Sequence, residues 1–174
     1  MSGLLAAVVE RLARSQVRHA LIGAGALAAH GVSRATLDLD LLVVSRAVLD
    51  RGFWEGLEGT SADVREGDAD DPLAGVVRLA HGEEIVDVVV GKMAWQQDLI
   101  AHARLREIEG CQVPVATVVD LILLKLYAGG PQDAWDIGRL LAITDRESIT
   151  EQVDSRLNQL PPECARLWRK VLSE

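Results

Sequence analysis

Three aspartates have the type and spacing to do chemistry: Asp38 and Asp40 in LDLDLLVV, and Asp87 in IVDVVV. In the first run Leu37, Leu39 and Leu41 fall on one face of an extended chain. Asp38 and Asp40 fall on the other, about 7 Å apart at Cβ from the rise of a strand. Carboxylates at that spacing can grip one pair of hard cations. Magnesium takes oxygen ligands and divides its coordination between one or two carboxylates and phosphate oxygens, as in two-metal phosphoryl transfer. A half-exposed strand with an acidic polar face gives the same pattern. Asp87 adds weight, because it interrupts an apolar run that reads as a strand buried on both faces. A carboxylate there needs a cation, an arginine or a proton. Two readings are open at this point: a metal shared by Asp38, Asp40 and Asp87, and a structural ion pair of Asp87 with Arg34 or Arg78.

Gly23-Ala24-Gly25-Ala26 lies between an expected strand, VRHALIG, and a short helical turn through Ala29. Backbone amides in that setting can hold phosphate. GAGALA also fits the GxGxxA turn of dinucleotide-binding domains. Against that reading, the following helix is short, LDLD supplies two acids in register, and no alternating βαβ continuation follows. Further along, Val118, Leu121, Ile122 and Lys125 share a helical face, which sets an ammonium group among apolar neighbours. Asp133 and Asp136 share a face with Ile137 and Leu140 on the next helix, so a salt bridge from Lys125 to one of them is expected.

The elements that must position these residues follow from periodicity and turn signals. Helices are expected over Leu4–Arg14, from about Ala47 to Leu57, and from about Met93 to Ala103. LDLDLLVV, GVVRLAH and EEIVDVVVG read as strands with a turn at His81-Gly82, and LREIEG and CQVPV as a further pair. EGTSADVREGDADDP is polar and reads as a loop or irregular hairpin. From Thr117 the signal is helical: Thr117 and Asp120 resemble a capping box, and Gly129-Gly130-Pro131 ends one helix and starts the next. The expected class is α/β (α+β), a mixed sheet flanked by helices with a C-terminal helical extension. The expected division is a sheet domain over 1–115 and a helical region over 116–174 packed on it.

At 174 residues and 49% hydrophobic, the chain can bury one core or a sheet domain with a helical extension. The net charge of −8 disfavours nonspecific binding to nucleic acid and suits bound cations. Cys111 and Cys164 lack zinc-site spacing. Glu10 and Arg11 interrupt the apolar N-terminal run, and Asp120 and Lys125 interrupt VVDLILLKLYA, so no membrane association is expected and a cytoplasmic location is.

LIGAGALAAHGVSRATLDLDLLV, IVDVVVG and DLILLKLYAGGPQDAWDI together resemble the DNA polymerase beta-like nucleotidyltransferase superfamily, and within it the small bacterial members that include abortive-infection type toxins. The resemblance runs from about His19 to Gly138, and its strength is the order of the pieces. It implies that the turn at Gly23-Ala24, with Arg34, Thr36, Lys125, Asp133 and Asp136, contacts the nucleotide. It implies that Asp38, Asp40 and Asp87 are catalytic and hold two magnesium ions, or manganese. Ala24 departs from the Gly or Ser of the superfamily turn, which removes a hydroxyl contact and leaves the backbone amides. The implied activity is transfer of a nucleoside monophosphate from a nucleoside triphosphate to an acceptor hydroxyl. The toxin branch implies a tRNA 3′ end as acceptor and an antitoxin as partner; a protein hydroxyl or a small molecule such as an aminoglycoside are the other acceptors weighed. Two alternatives stand beside it: a non-catalytic nucleotide-binding or regulatory module of the same fold, and a dinucleotide-binding domain.

Overall fold

Apolar residues at helical spacing make α1 (Leu4–Arg14), which buries Leu4, Leu5, Val8 and Leu12. Each such burial is worth about 1.5–3 kcal/mol. The computed structural model describes residues 3–33 and 38–173. The chain divides into two compact units, Met1–Ala26 with Ala35–Ala116, and Leu27–Arg34 with Thr117–Glu174.

In the first unit the described residues form one seven-stranded sheet. Its strands are β1 (His19–Ile22), β2 (Leu39–Val43), β3 (Ser61–Glu66), β4 (Leu73–His81), β5 (Glu84–Gly91), β6 (Arg104–Ile108) and β7 (Cys111–Val115). Their order is β3-β4-β5-β2-β1-β7-β6. β2 runs parallel to β5 and β1 parallel to β7, while the remaining neighbours are antiparallel, so the sheet is mixed. α1 packs on β5 and β7, and α3 (Ala94–His102) on β1 and β2. Val86, Val88 and Val90, on alternate positions of β5, are at most 1% exposed. Alternate residues of a strand share a face, so these valines fix which way Asp87 can point.

Three local expectations are corrected here. The helix expected from Ala47 to Leu57 is two 3-10 turns, Arg46–Leu49 and Arg51–Trp54. The Asp50 side chain accepts from the Gly52 amide (2.8 Å), a local bond that competes with helix continuation. The Trp54 indole N–H donates to the Val48 carbonyl (2.7 Å) and closes the pair of turns. The polar stretch after Glu58 contains β3, an edge strand whose exposed charges suit an unpaired flank. The hairpin turn falls at Gly82-Glu83, because His81 pairs with Glu84 and Gly82 takes φ +61°.

α2 (Gly23–Ala29) carries the chain into the second unit, which holds α4 (Val118–Ala128), α5 (Pro131–Ala142), α6 (Arg146–Arg156) and α7 (Pro162–Ser173). Thr117 caps α4 by accepting from the Asp120 amide (3.2 Å), and its hydroxyl donates to the Asp120 carboxylate (2.6 Å). Asp120 is fully buried and pairs with Arg156 of α6 at 2.6 Å. Gly129 ends α4 at φ +71°, and Pro131 opens α5, where a missing amide costs nothing. No helix among the described residues is long and apolar enough to cross a membrane.

Candidate active site

Sheet order turns acids that are distant in sequence into neighbours. Asp40 of β2 is the register partner of Asp87 of β5, and Asp87 is the partner of Arg78 on β4. Arg78 in turn faces Asp63 of β3. Register partners share a face, so Asp63, Arg78, Asp87 and Asp40 form one row across four strands. Asp38 lies two residues ahead of Asp40, immediately before β2.

Arg78 is the centre of this row. Its Nε donates to Asp87 Oδ1 (2.8 Å) and its Nη2 to Asp87 Oδ2 (2.6 Å), a bidentate fork. The same Nη2 lies 3.6 Å from Asp38 Oδ2, so one nitrogen stands between two of the three acids. The hydrogen bonding that Arg78 donates to Asp87 is the main reason that the guanidinium holds its proton above the ordinary arginine range; the charge of Asp87 comes next, and Asp38 and Asp40 add to it against a desolvation effect. All three acids therefore act on one positive group. The Asp87 side chain is 13% exposed and that of Arg78 is 52% exposed, so the acid is fixed while the arginine has room to move.

Asp40 is held from the other side. Gly23 opens α2 at φ +60°, and a Cβ built there would come within 2.9 Å of Asp40 Cγ. The turn and the acid thus touch, which requires a residue without a side chain at position 23. Ala24 follows in the first turn of α2. Arg34 and Thr36, expected at the nucleotide, lie outside the described residues.

Of the two readings open for Asp87, the ion pair with Arg78 is present. Among the described residues no three His, Cys, Asp or Glu side chains are grouped as a ready cation cage. Asp38 and Asp87 are instead drawn onto Arg78. The donor set still suits a hard divalent ion: carboxylates in register on adjacent parallel strands, beside a glycine turn with no Cβ to fill the approach. A cation already stands between Asp38 and Asp87, and it is a guanidinium. Sequence reasoning weighed Arg78 only as a structural partner. The signal that would have found it is hairpin counting: once His81 pairs with Glu84, Arg78 must face Asp87.

Within the helical unit, Lys125 Nζ lies 3.0 Å from Asp133 Oδ1 and 2.6 Å from Asp136 Oδ2. The expected salt bridge is made to both acids at once. Asp136 is fully buried, and Asp133 also accepts from the Gly130 amide (3.0 Å), which fixes the start of α5.

No protein-family model matches the chain, and no curated protein matches it in sequence. Solved structures do match in fold. One is the antibiotic-resistance factor ANT(2'')-Ia in complex with adenylyl-2''-tobramycin, 17% identical with a TM-score of 0.56, covering 90% of this chain and 96% of that one. Another is a candidate nucleotidyltransferase from Thermotoga maritima, 18% identical with a TM-score of 0.55, covering 81% and 92%. A third is the lincosamide antibiotic adenylyltransferase LnuA with lincomycin bound, 15% identical with a TM-score of 0.50, covering 80% and 96%. The chain has the nucleotidyltransferase fold, and the α+β class expected from the sequence is borne out.

Proposed function

We propose that this chain transfers a nucleoside monophosphate from a nucleoside triphosphate to an acceptor hydroxyl, using magnesium or manganese held by Asp38, Asp40 and Asp87. The supporting observation is that sheet register pairs Asp40 with Asp87, Arg78 reaches both Asp87 and Asp38, and the Gly23 turn touches Asp40, on a fold shared with adenylyltransferases. Asp38, Asp40 and Asp87 would hold the divalent ions, which would supply positive charge to offset that of the triphosphate. In the reaction a bond forms between the acceptor oxygen and the α-phosphorus. The bond to the β-phosphate oxygen breaks, and pyrophosphate leaves with the electron pair. Asp87 is assigned as acceptor of the hydroxyl proton. Gly23 and Ala24 are assigned to the triphosphate through their amides. Resemblance in sequence alone assigns Arg34, Thr36, Lys125, Asp133 and Asp136 to the nucleotide.

Two observations favour a small-molecule acceptor. The neighbours hold adenylyl-2''-tobramycin and lincomycin, and the net charge of −8 attracts a cationic small molecule while repelling RNA. The resemblance to the toxin branch favours a tRNA 3′ end, with an antitoxin as partner. We place the reaction in the cytoplasm, where triphosphates are supplied.

Labelled nucleoside triphosphates incubated with separate tRNA, protein, aminoglycoside and lincosamide fractions test both levels. Label is expected in the small-molecule fraction, with transfer falling at least about 100-fold in Asp40→Asn of unchanged circular dichroism. Full activity in Asp40→Asn refutes the site. Magnesium-dependent triphosphate binding with no labelled acceptor identifies a non-catalytic module instead.

A further inference from the structure

Arg78 is neither an acid of the site nor a residue buried for packing, yet it holds Asp87 at 2.6 and 2.8 Å. Its fork takes both oxygens of Asp87, and the spare reach of Nη2 extends to Asp38. The guanidinium therefore stands in the place between Asp38 and Asp87 that a divalent ion held by those acids would need. With its side chain half exposed, it can leave without disturbing the core. A second carboxylate waits on the other side: Asp63 of β3 is the register partner of Arg78, just as Asp87 is on β5. Among the described residues Asp63 pairs with the exposed Arg65, at 3.3 Å with both side chains more than half exposed, a type of pair worth little.

Building on the nucleotidyl-transfer reading of this site, we propose that Arg78 is its resident cation and positions Asp87, and that metal loading is an exchange in which Arg78 swings from Asp87 and Asp38 toward Asp63. Before loading, the guanidinium keeps the acids from repelling one another and holds Asp87 in the plane of the fork. On loading, Arg78 gives up Asp87 and Asp38, which would then be open to hold the divalent ion, and moves one strand outward along the row. The metal affinity of the unloaded protein is then set below what three carboxylates alone would give, because every binding event breaks the fork.

Manganese titration of the full chain without nucleotide, followed by electron paramagnetic resonance, tests the exchange apart from activity. Arg78→Gln, which removes the competing cation, is expected to bind manganese at least about threefold more tightly than the parent protein. Arg78→Lys keeps the charge without the fork and is expected to fall between them. Asp63→Asn removes the parking position and is expected to bind about twofold more weakly. Equal or weaker binding by Arg78→Gln with unchanged circular dichroism overturns the exchange. If Arg78→Gln does not fold, undiminished binding by Asp63→Asn overturns it. Failure of the underlying reading looks different: the parent protein then binds no manganese, or Asp40→Asn binds it equally well.

Discussion

Gly23→Ala separates what the turn does for the fold from what it does for the acid. Gly23 adopts φ +60°, and a residue with a Cβ in that region costs about 1–2 kcal/mol. For a chain of this size each kcal/mol lowers the melting temperature by about 2–4 °C, so a fall of about 2–8 °C is expected. The added methyl also meets the Asp40 carboxyl group, 2.9 Å from Cγ. The end of an aspartate side chain can rotate, which holds the stability cost of the collision to about 0.5–1 kcal/mol, but it drives Asp40 from the position shared with Asp87. Transfer should therefore fall at least about 100-fold while the protein stays folded at 25 °C, a loss of at least about 2.7 kcal/mol in transition-state stabilisation. Melting followed by circular dichroism and label transfer from a nucleoside triphosphate measure the two parts. A double-mutant cycle isolates the contact: adding Asp40→Ala removes the collision, so the combined stability change should fall short of the sum by about 0.5 kcal/mol or more. Parental transfer by Gly23→Ala together with an additive cycle would refute the claim that the turn positions Asp40.

Two further predictions concern buried polar groups. His19 is 8% exposed; its Nδ1 donates to the Val17 carbonyl (3.2 Å) and its Nε2 has no partner among the described residues. Burial lowers its pKa from 6.5, against the opposing effect of the Val17 bond, so below pH 6.5 the unfolded chain takes up a proton that the folded chain refuses. Stability from this group is complete above that pH and falls below it, by at most about 1.4 kcal/mol per pH unit until the folded ring also protonates. Urea unfolding at several pH values should give a shallower acid slope for His19→Phe, and an unchanged slope would overturn the assignment. Asp120→Ala removes the partner of Arg156 at the centre of the helical unit. Stranding that guanidinium should cost about 3–5 kcal/mol, read as a drop in urea midpoint, and a cost under about 1 kcal/mol would show that water replaces the pair.

The acids were legible because alternation is a strong local signal: in LDLDLLVV the faces separate by inspection, and in IVDVVV a single charge breaks an apolar run. Gly129-Gly130-Pro131 was legible because glycine takes the left-handed conformation that ends a helix at little cost, while proline suits the first turn of the next. The 3-10 turns at Arg46–Trp54 were not, because the hydrogen bond that the Gly52 amide donates to the Asp50 side chain overrides a weak helical period. β3 was hidden by its setting: an edge strand covered with charge has the composition of a loop. The role of Arg78 required knowledge of the hairpin register, which a one-residue error in the turn position would have assigned to a different neighbour.

The aim of Asp87 is decided by the valines around it. β5 lies between β2 and β4, although β3 and β4 separate β2 from β5 in the sequence, so no local feature of either strand specifies the meeting of Asp40 with Asp87. Val86, Val88 and Val90 must all stay on the apolar face, and a slip of β5 by one residue would turn all three onto the half-buried face of Ile85 and Val89 and set Asp87 among the apolar core in their place. Several weakened apolar burials together with an unpartnered buried carboxylate are comparable to the whole stability of an ordinary domain. The register that sets the acid beside Arg78 and Asp40 is therefore enforced by the same apolar contacts that fold the sheet. A valine on this strand, turned to the opposite face from Asp87, bears on the candidate site through the direction in which it makes its neighbour point.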